Sequence, residues 1–413
     1  MTYLQQRNLV LGSVAGVAFV VAGGSAGLVG PVFSVLMKEL GWSASQISTL
    51  ATGYTVGLMV LAPALGVVLD KVGPCTMMTF GIVATSAATL LAGLSSGWTA
   101  MAVAFMLAGI GFSASFLLPS PLVVARWMPQ RRNLGMGVVM GAMSVGAATL
   151  APLIGWCTGK YGWRPSLYGV AAVIILLVVP VRLTMRISIA GSIPRRGGTE
   201  ARVQLRAALR DLVSPVYILT VLGSTFAFVG LGCVQFHVIS ILMRAGYAAN
   251  FAALAFGGTW LLCAVGAYVL GSVADRFGTV KSLSLALVVG ALGTVCLLYV
   301  ADARVGSVCV AMFVTLWGAS SNCVSQLTPV ILLERFGSEH LGALVGIEFG
   351  ISGVVGATAP LATGLLYDNF GDYRLAIGLS GTSTLIASAL IALINMRQFS
   401  HRNGIPRNGV AAA

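Results

Sequence analysis

The chain has 413 residues, 57% of them hydrophobic and only 8% charged, and its mean hydropathy is +0.95. A soluble domain is nearer a quarter charged, so a chain this apolar cannot stay in solution, and soluble enzymes and signalling domains are excluded. The net charge of +13 has no basic soluble domain to carry it, which argues against a nucleic-acid partner and leaves it as a signal of membrane topology.

About 20 apolar residues cross the hydrocarbon core as a helix. The first such segment, about 9–37, is too long for a signal-peptide core and has no clear cleavage site, so it reads as a retained span. Spans two to six follow at about 46–69, 76–95, 98–125, 134–158 and 165–186. Next comes a polar stretch with Pro194, two adjacent glycines and Arg195, Arg196, Arg202, Arg206 and Arg210. Spans seven to twelve lie at about 214–243, 250–273, 280–300, 306–332, 341–366 and 374–396. The expectation is an all-α polytopic membrane protein with twelve transmembrane helices in two six-helix pseudo-symmetric bundles. Residues 1–186 form the first, 187–213 a cytoplasmic linker, and 214–413 the second with a short tail.

Basic residues set the orientation. With the linker inside, only Lys38, Lys160, Arg164, Arg244, Arg304 and Arg374 of the 24 lysines and arginines lie outside. That predicts a multi-pass cell-membrane protein (inner membrane in a bacterium) with both termini cytoplasmic. A cysteine near Ser95 should then label from outside, and one near Thr199 should not. Ten of the eleven acidic residues fall in loops or at span ends, and the remaining one is Glu348. The 52 glycines suit closely packed membrane helices. Seven cysteines, an odd number without a CxxC pair, read as buried free thiols. His237, His340 and His401 are scattered, and HExxH, GxSxG and GK[ST] motifs are missing, so no enzyme, metal site or cofactor is expected.

The two halves repeat each other. Gly66-Val-Val-Leu-Asp70-Lys71-Val-Gly73 after span two returns as Gly271-Ser-Val-Ala-Asp275-Arg276-Phe-Gly278 after span eight, 205 residues later. Spans one and seven close with Ser34-Val-Leu-Met-Lys38 and Ser240-Ile-Leu-Met-Arg244. Pro121 leads to Pro152, and Pro329 to Pro360, at equal separation. Such duplication is the architecture of many secondary transporters, whose sites lie between the repeats. The Gly-x-x-x-Asp-Lys/Arg-x-Gly loop resembles the signature loop of the major facilitator superfamily. That resemblance implies gating by Asp70, Lys71, Asp275 and Arg276 as a cytoplasmic latch. Physically, such a carboxylate suits the N-terminus of a neighbouring helix, with a cation paired nearby.

A narrower resemblance is carried by four strings. They are Glu39-Leu-Gly-Trp42-Ser, Asp70-Lys-Val-Gly-Pro74, Arg126-Trp-Met-Pro-Gln-Arg-Arg132 and Tyr161-Gly-Trp-Arg164. They are similar to the monocarboxylate transporters and their oxalate–formate relatives, which implies proton symport or exchange of small organic anions. The positions where monocarboxylate carriers hold a lysine, an aspartate and an arginine read Pro31, Cys263 and Ala267 here.

Glu348 is the first candidate for proton coupling, because an apolar site favours the neutral acid and water would charge it. On a helix it shares a face with Ser352, Val355 and Ala359, while Gly342, Gly346 and Gly350 line nearly the opposite face and suit close packing. Its own face is left for a cavity or a polar neighbour. His237 is the counterpart of Pro31 in the second half, and imidazole can both pair with an anion and accept a proton. Ordinary hydrogen-bonded packing is the alternative for both. Span ten carries Ser320, Ser321, Asn322, Ser325 and Gln326, too polar for lipid. The substrate-binding candidates are therefore His237, Gln235, Asn322, Gln326, Arg126 and Tyr54. A monomer moving a small organic anion with protons is the leading expectation, and an uncharged or cationic solute is the alternative.

Overall fold

The computed structural model describes residues 3–27, 32–42, 44–189 and 210–403. Pro31, most of the linker and the end of the tail lie outside the described residues, as do the positions Pro194, Arg195, Arg196, Thr199, Arg202 and Arg206. Among the described residues eleven helices are long and apolar enough to cross a membrane, and Thr49–Val60 with Ala62–Val72, which meet at 45°, make a twelfth when taken as one bent span. No strand occurs among the described residues.

Local chemistry sets several span ends. Gly73 and Gly278, the last glycines of the two signature loops, have φ of 80° and 98°, where a side chain would be strained. Pro74 then opens the span Pro74–Leu94 without sacrificing a hydrogen bond. Ser214 caps the span Pro215–Gln235 by accepting from the Tyr217 amide at 3.2 Å. Among the described residues three spans carry complete π turns, Val56–Val60, Ser113–Leu117 and Phe313–Trp317. Spans seven and eleven are broken instead, at Phe236–His237 and at Ala357–Thr358.

The halves meet through two pairs of spans, two with eleven and five with eight. Missing side chains let the backbones touch. A Cβ on Gly66 would run into the Gly342 carbonyl, one on Gly346 into that of Ala62, and one on Gly271 into that of Asn133. In membranes, where lipid is as apolar as leucine, such close van der Waals contact is what joins helices. The glycine face expected on span eleven is thus the face that crosses between halves.

The buried core shows which end is closed. On the side carrying both ends of the described chain, one cluster runs across the halves and includes Leu69, Met136, Ala267, Val330, Leu341 and Val345. At the opposite end each half has its own cluster, one around Leu36, Phe105 and Trp163 and the other around Val238, Leu242 and Phe313. None of the seven cysteines forms a disulfide.

The orientation can be measured by labelling. Ser95 itself is buried, its hydroxyl donating to the Ala92 carbonyl at 2.8 Å, so the exposed neighbour Ser96 is the better position. In a cysteine-free background, Ser96→Cys is expected to react with an impermeant maleimide from outside cells and Gln130→Cys only after lysis. The reverse pattern would overturn the orientation read from charge.

Candidate functional site

A cavity of about 270 Å3 lies between the halves, above the shared core. The first half contributes Leu58, Met59, Phe112, Leu117, Met140 and Met143, an entirely apolar wall. The second contributes Gln235, Asn322, Ser320, Ser321, Ser325 and three threonines, 259, 294 and 384, among aromatic residues that include Phe228, Trp260 and Trp317. Among the described residues no Asp, Glu, Lys, Arg or His lines it. All three of these π turns reach the cavity lining, through Leu58 and Met59, Leu117, and Trp317. An extra residue in a helical turn displaces the side chains after it, and such turns often mark functional sites.

Of the six substrate-binding candidates, Gln235 and Asn322 line this cavity. The Asn322 amide also crosses to the first half, donating to the Ser144 hydroxyl at 3.1 Å. Gln326, one turn on, is fully buried below the cavity. Its amide donates to the carbonyls of Ala267 at 2.9 Å and Asn133 at 3.4 Å, so it seals the five–eight contact instead of facing solute. His237 sits at the break in span seven, hydrogen-bonded through Nε2 to the Pro360 carbonyl at 3.1 Å, with its ring 5.6 Å from Tyr373. That joins the breaks of spans seven and eleven, outside the cavity lining. Arg126 is exposed near the end of its helix, and Tyr54 packs edge-on against Phe112 at 6.0 Å without reaching the lining. The expected anion partners are therefore not gathered around this cavity. Thr259, Thr294, Thr384 and Ser144 escaped the sequence reading because single hydroxyls are common in membrane helices.

Glu348 is fully buried, yet it is Phe349 beside it that lines the cavity. Its carboxyl faces inward into the second half, toward Ser224 of span seven and Thr328 of span ten. Neither carboxyl oxygen makes a hydrogen bond of ordinary geometry, nor does the Ser224 hydroxyl, while Thr328 donates to Val324 at 2.9 Å. One turn along the same face, Ser352 is 3.2 Å from the Thr225 hydroxyl. Polar neighbours, not the cavity, occupy the Glu348 face.

The two signature-loop carboxylates lie below the cavity, each on the other half. Asp70 accepts from the amides of Gly342 and Ala343, both at 2.8 Å, at the start of span eleven. Asp275 accepts from the amides of Asn133 at 3.0 Å and Leu134 at 3.1 Å at the start of span five, and from the Asn133 side chain at 3.0 Å. Each satisfies orphan donors at a helix N-terminus, where negative charge is favoured. The second latch continues through Asn133 to Thr279 and on to Glu334 at 2.7 Å. The paired cations expected there are not found. Lys71 and Arg276 are exposed and form no ion pair among the described residues, the Arg276 guanidinium lying over Phe277 instead. Beside the first latch, His340 meets Asp211 at 2.6 Å.

Comparison with known proteins adds a family. The profile described as Major Facilitator Superfamily matches residues 15–347 and 238–409. The chain is 26% identical to Monocarboxylate transporter 13 of Bos taurus over 376 residues, covering 90% of this chain and 85% of that protein. It is 23% identical over 347 residues to an uncharacterized MFS-type transporter, YcxA, of Bacillus subtilis, covering 81% and 82%. In structure it is similar to the E. coli fucose:proton symporter FucP, with a TM-score of 0.71, 15% identity and coverage of 95% and 99%. A FucP structure in the outward conformation gives a TM-score of 0.72, 15% identity and coverage of 94% and 99%.

Proposed function

The chain belongs to the Major Facilitator Superfamily, and from that premise we propose that it is a proton-coupled secondary transporter of a small amphipathic solute that is uncharged in the cavity. The observation that carries this reading is that no carboxylate, amine, guanidinium or imidazole lines the cavity among the described residues. An unpaired charge in an apolar enclosure costs several kcal/mol. One apolar wall facing one wall of amides and hydroxyls instead suits a neutral molecule with a hydrogen-bonding edge. The cavity is complete within one chain, which supports a working monomer.

Proton symport rests on Glu348. With both oxygens buried beside only the neutral hydroxyls of Ser224 and Thr328, and with no ion pair among the described residues, a charged form has little to offset its desolvation. The carboxyl therefore carries its proton in this conformation and releases it only where spans seven, ten and eleven admit water. Asp70 and Asp275 act as latches that hold the halves together on the terminal side. With both termini cytoplasmic, this is the state closed to the cytoplasm.

The likeness to Monocarboxylate transporter 13 supports a second reading, movement of a small monocarboxylate. Proteoliposomes separate the two. Under an inward proton gradient, saturable uptake is expected for neutral amphipathic alcohols, amides or lactones, with no uptake of ionised short-chain monocarboxylates. Uptake of the carboxylates alone would establish the second reading and overturn the first.

A further inference from the structure

We propose that the flank formed by spans one, five and six binds an anionic glycerophospholipid, with an acyl chain in an apolar groove and the phosphate on Lys160. The groove has a volume of about 330 Å3 and shares no lining residue with the transport cavity. Val20, Leu150, Ile154 and Val170 are among its walls. Its hydroxyls belong to Tyr161 and Ser166, and Ser166 donates to the Gly162 carbonyl at 2.8 Å. Gly169 faces open space in it, since a Cβ there would meet nothing within 4 Å. Leu153 and Val173 are each 51% exposed on this flank, the surface that acyl chains cover in a bilayer.

A cation stands at one end of the groove. Lys160, the penultimate residue of span five, holds its ammonium 5.0 Å from the Trp156 ring and 5.1 Å from the ring of Tyr161, a lining residue. It is exposed and has no carboxylate partner among the described residues. The rings fix the ammonium by cation–π attraction and sit where tryptophan and tyrosine favour the headgroup layer. A lysine at a span end reaches that layer and attracts anionic lipid. An apolar slot ending in an unpaired cation at headgroup depth fits a lipid with a negative phosphate. A neutral detergent would leave the ammonium without a partner, and the transport cavity shares no lining residue with the groove. The leaflet is the one opposite the termini.

The test exposes the purified full chain to vesicles of equal parts POPC and POPG, then counts retained lipids by native mass spectrometry. A POPG analogue with a photoreactive acyl chain maps the contact. Wild type is expected to retain POPG and to cross-link within residues 150–173 or around Val20 and Gly24. Lys160→Gln should lower POPG retention by roughly fivefold, the effect of one interfacial charge, and leave POPC unchanged. Gly169→Leu should fill the slot and abolish the cross-link while the protein still melts cooperatively. Lys160 is exposed, so its variant reads out even if the glycine variant fails to fold. Wild-type POPG retention by Lys160→Gln would overturn the proposal, as would cross-links elsewhere or a groove holding only detergent, POPC or a second copy of the chain. None of these outcomes depends on which solute the cavity carries.

Discussion

Glu348→Gln is expected to abolish uphill accumulation while leaving a folded protein that still exchanges solute at equal concentrations. Glutamine copies the shape and neutrality of the protonated acid, so the fully buried position keeps its packing against Ser224 and Thr328. What it cannot do is give up the proton. One pH unit across the membrane is worth about 1.4 kcal/mol, or a tenfold concentration ratio for one coupled proton. Accumulation in proteoliposomes should therefore fall from about tenfold per pH unit to none in the variant, with equal-concentration exchange retained. Should the variant still concentrate solute, the carboxyl is structural and His237 becomes the better proton site.

The second large effect belongs to the latches. Asp70→Asn and Asp275→Asn keep the size of the side chain but remove the charge that two backbone amides at a helix N-terminus share. Hydrogen bonds to a charged group contribute about 1.5–3 kcal/mol, so losing the charge should shift the closed-to-open balance by about 1–2 kcal/mol. That is a change of roughly 5- to 30-fold in the ratio of states. Spin labels at the exposed positions Gln130 and Ser338, one on each half, should show a longer distance population growing in either variant. Turnover should drop while affinity within each state stays constant. If the distances do not move and affinity collapses, Asp70 belongs to the binding site instead.

Features that are local along the chain were legible before any coordinates. Hydropathy runs marked the spans, because every backbone group in lipid must bond within its own helix and so needs about 20 apolar residues in succession. The repeated Gly-x-x-x-Asp-x-x-Gly loops gave the two halves, and Glu348 stood out because a carboxylate in a span has few reasons to be there. One helix face could also be read. Gly342, Gly346 and Gly350 recur every fourth residue, and only a close backbone contact explains their shared lack of side chains.

Helix rotation and partner choice were decided by the tertiary structure. In water the polar face of a helix points outward and its pattern betrays the buried side. In a membrane both lipid and core are apolar, so nothing in the pattern separates them. That is why Asn322 reaches the cavity while Gln326, one turn away, goes to the Ala267 carbonyl. It is also why Phe349 lines the cavity while Glu348 faces Ser224. Three π turns rotate the residues after them with no proline or glycine rule to announce the shift. Asp70 finds its partners at Gly342 and Ala343, more than 270 residues away, only because the two halves close on each other. Hydropathy runs and the repeated loops determined a polytopic chain of up to twelve spans in two halves. The packing of those halves alone determined that the cavity between them holds no charge.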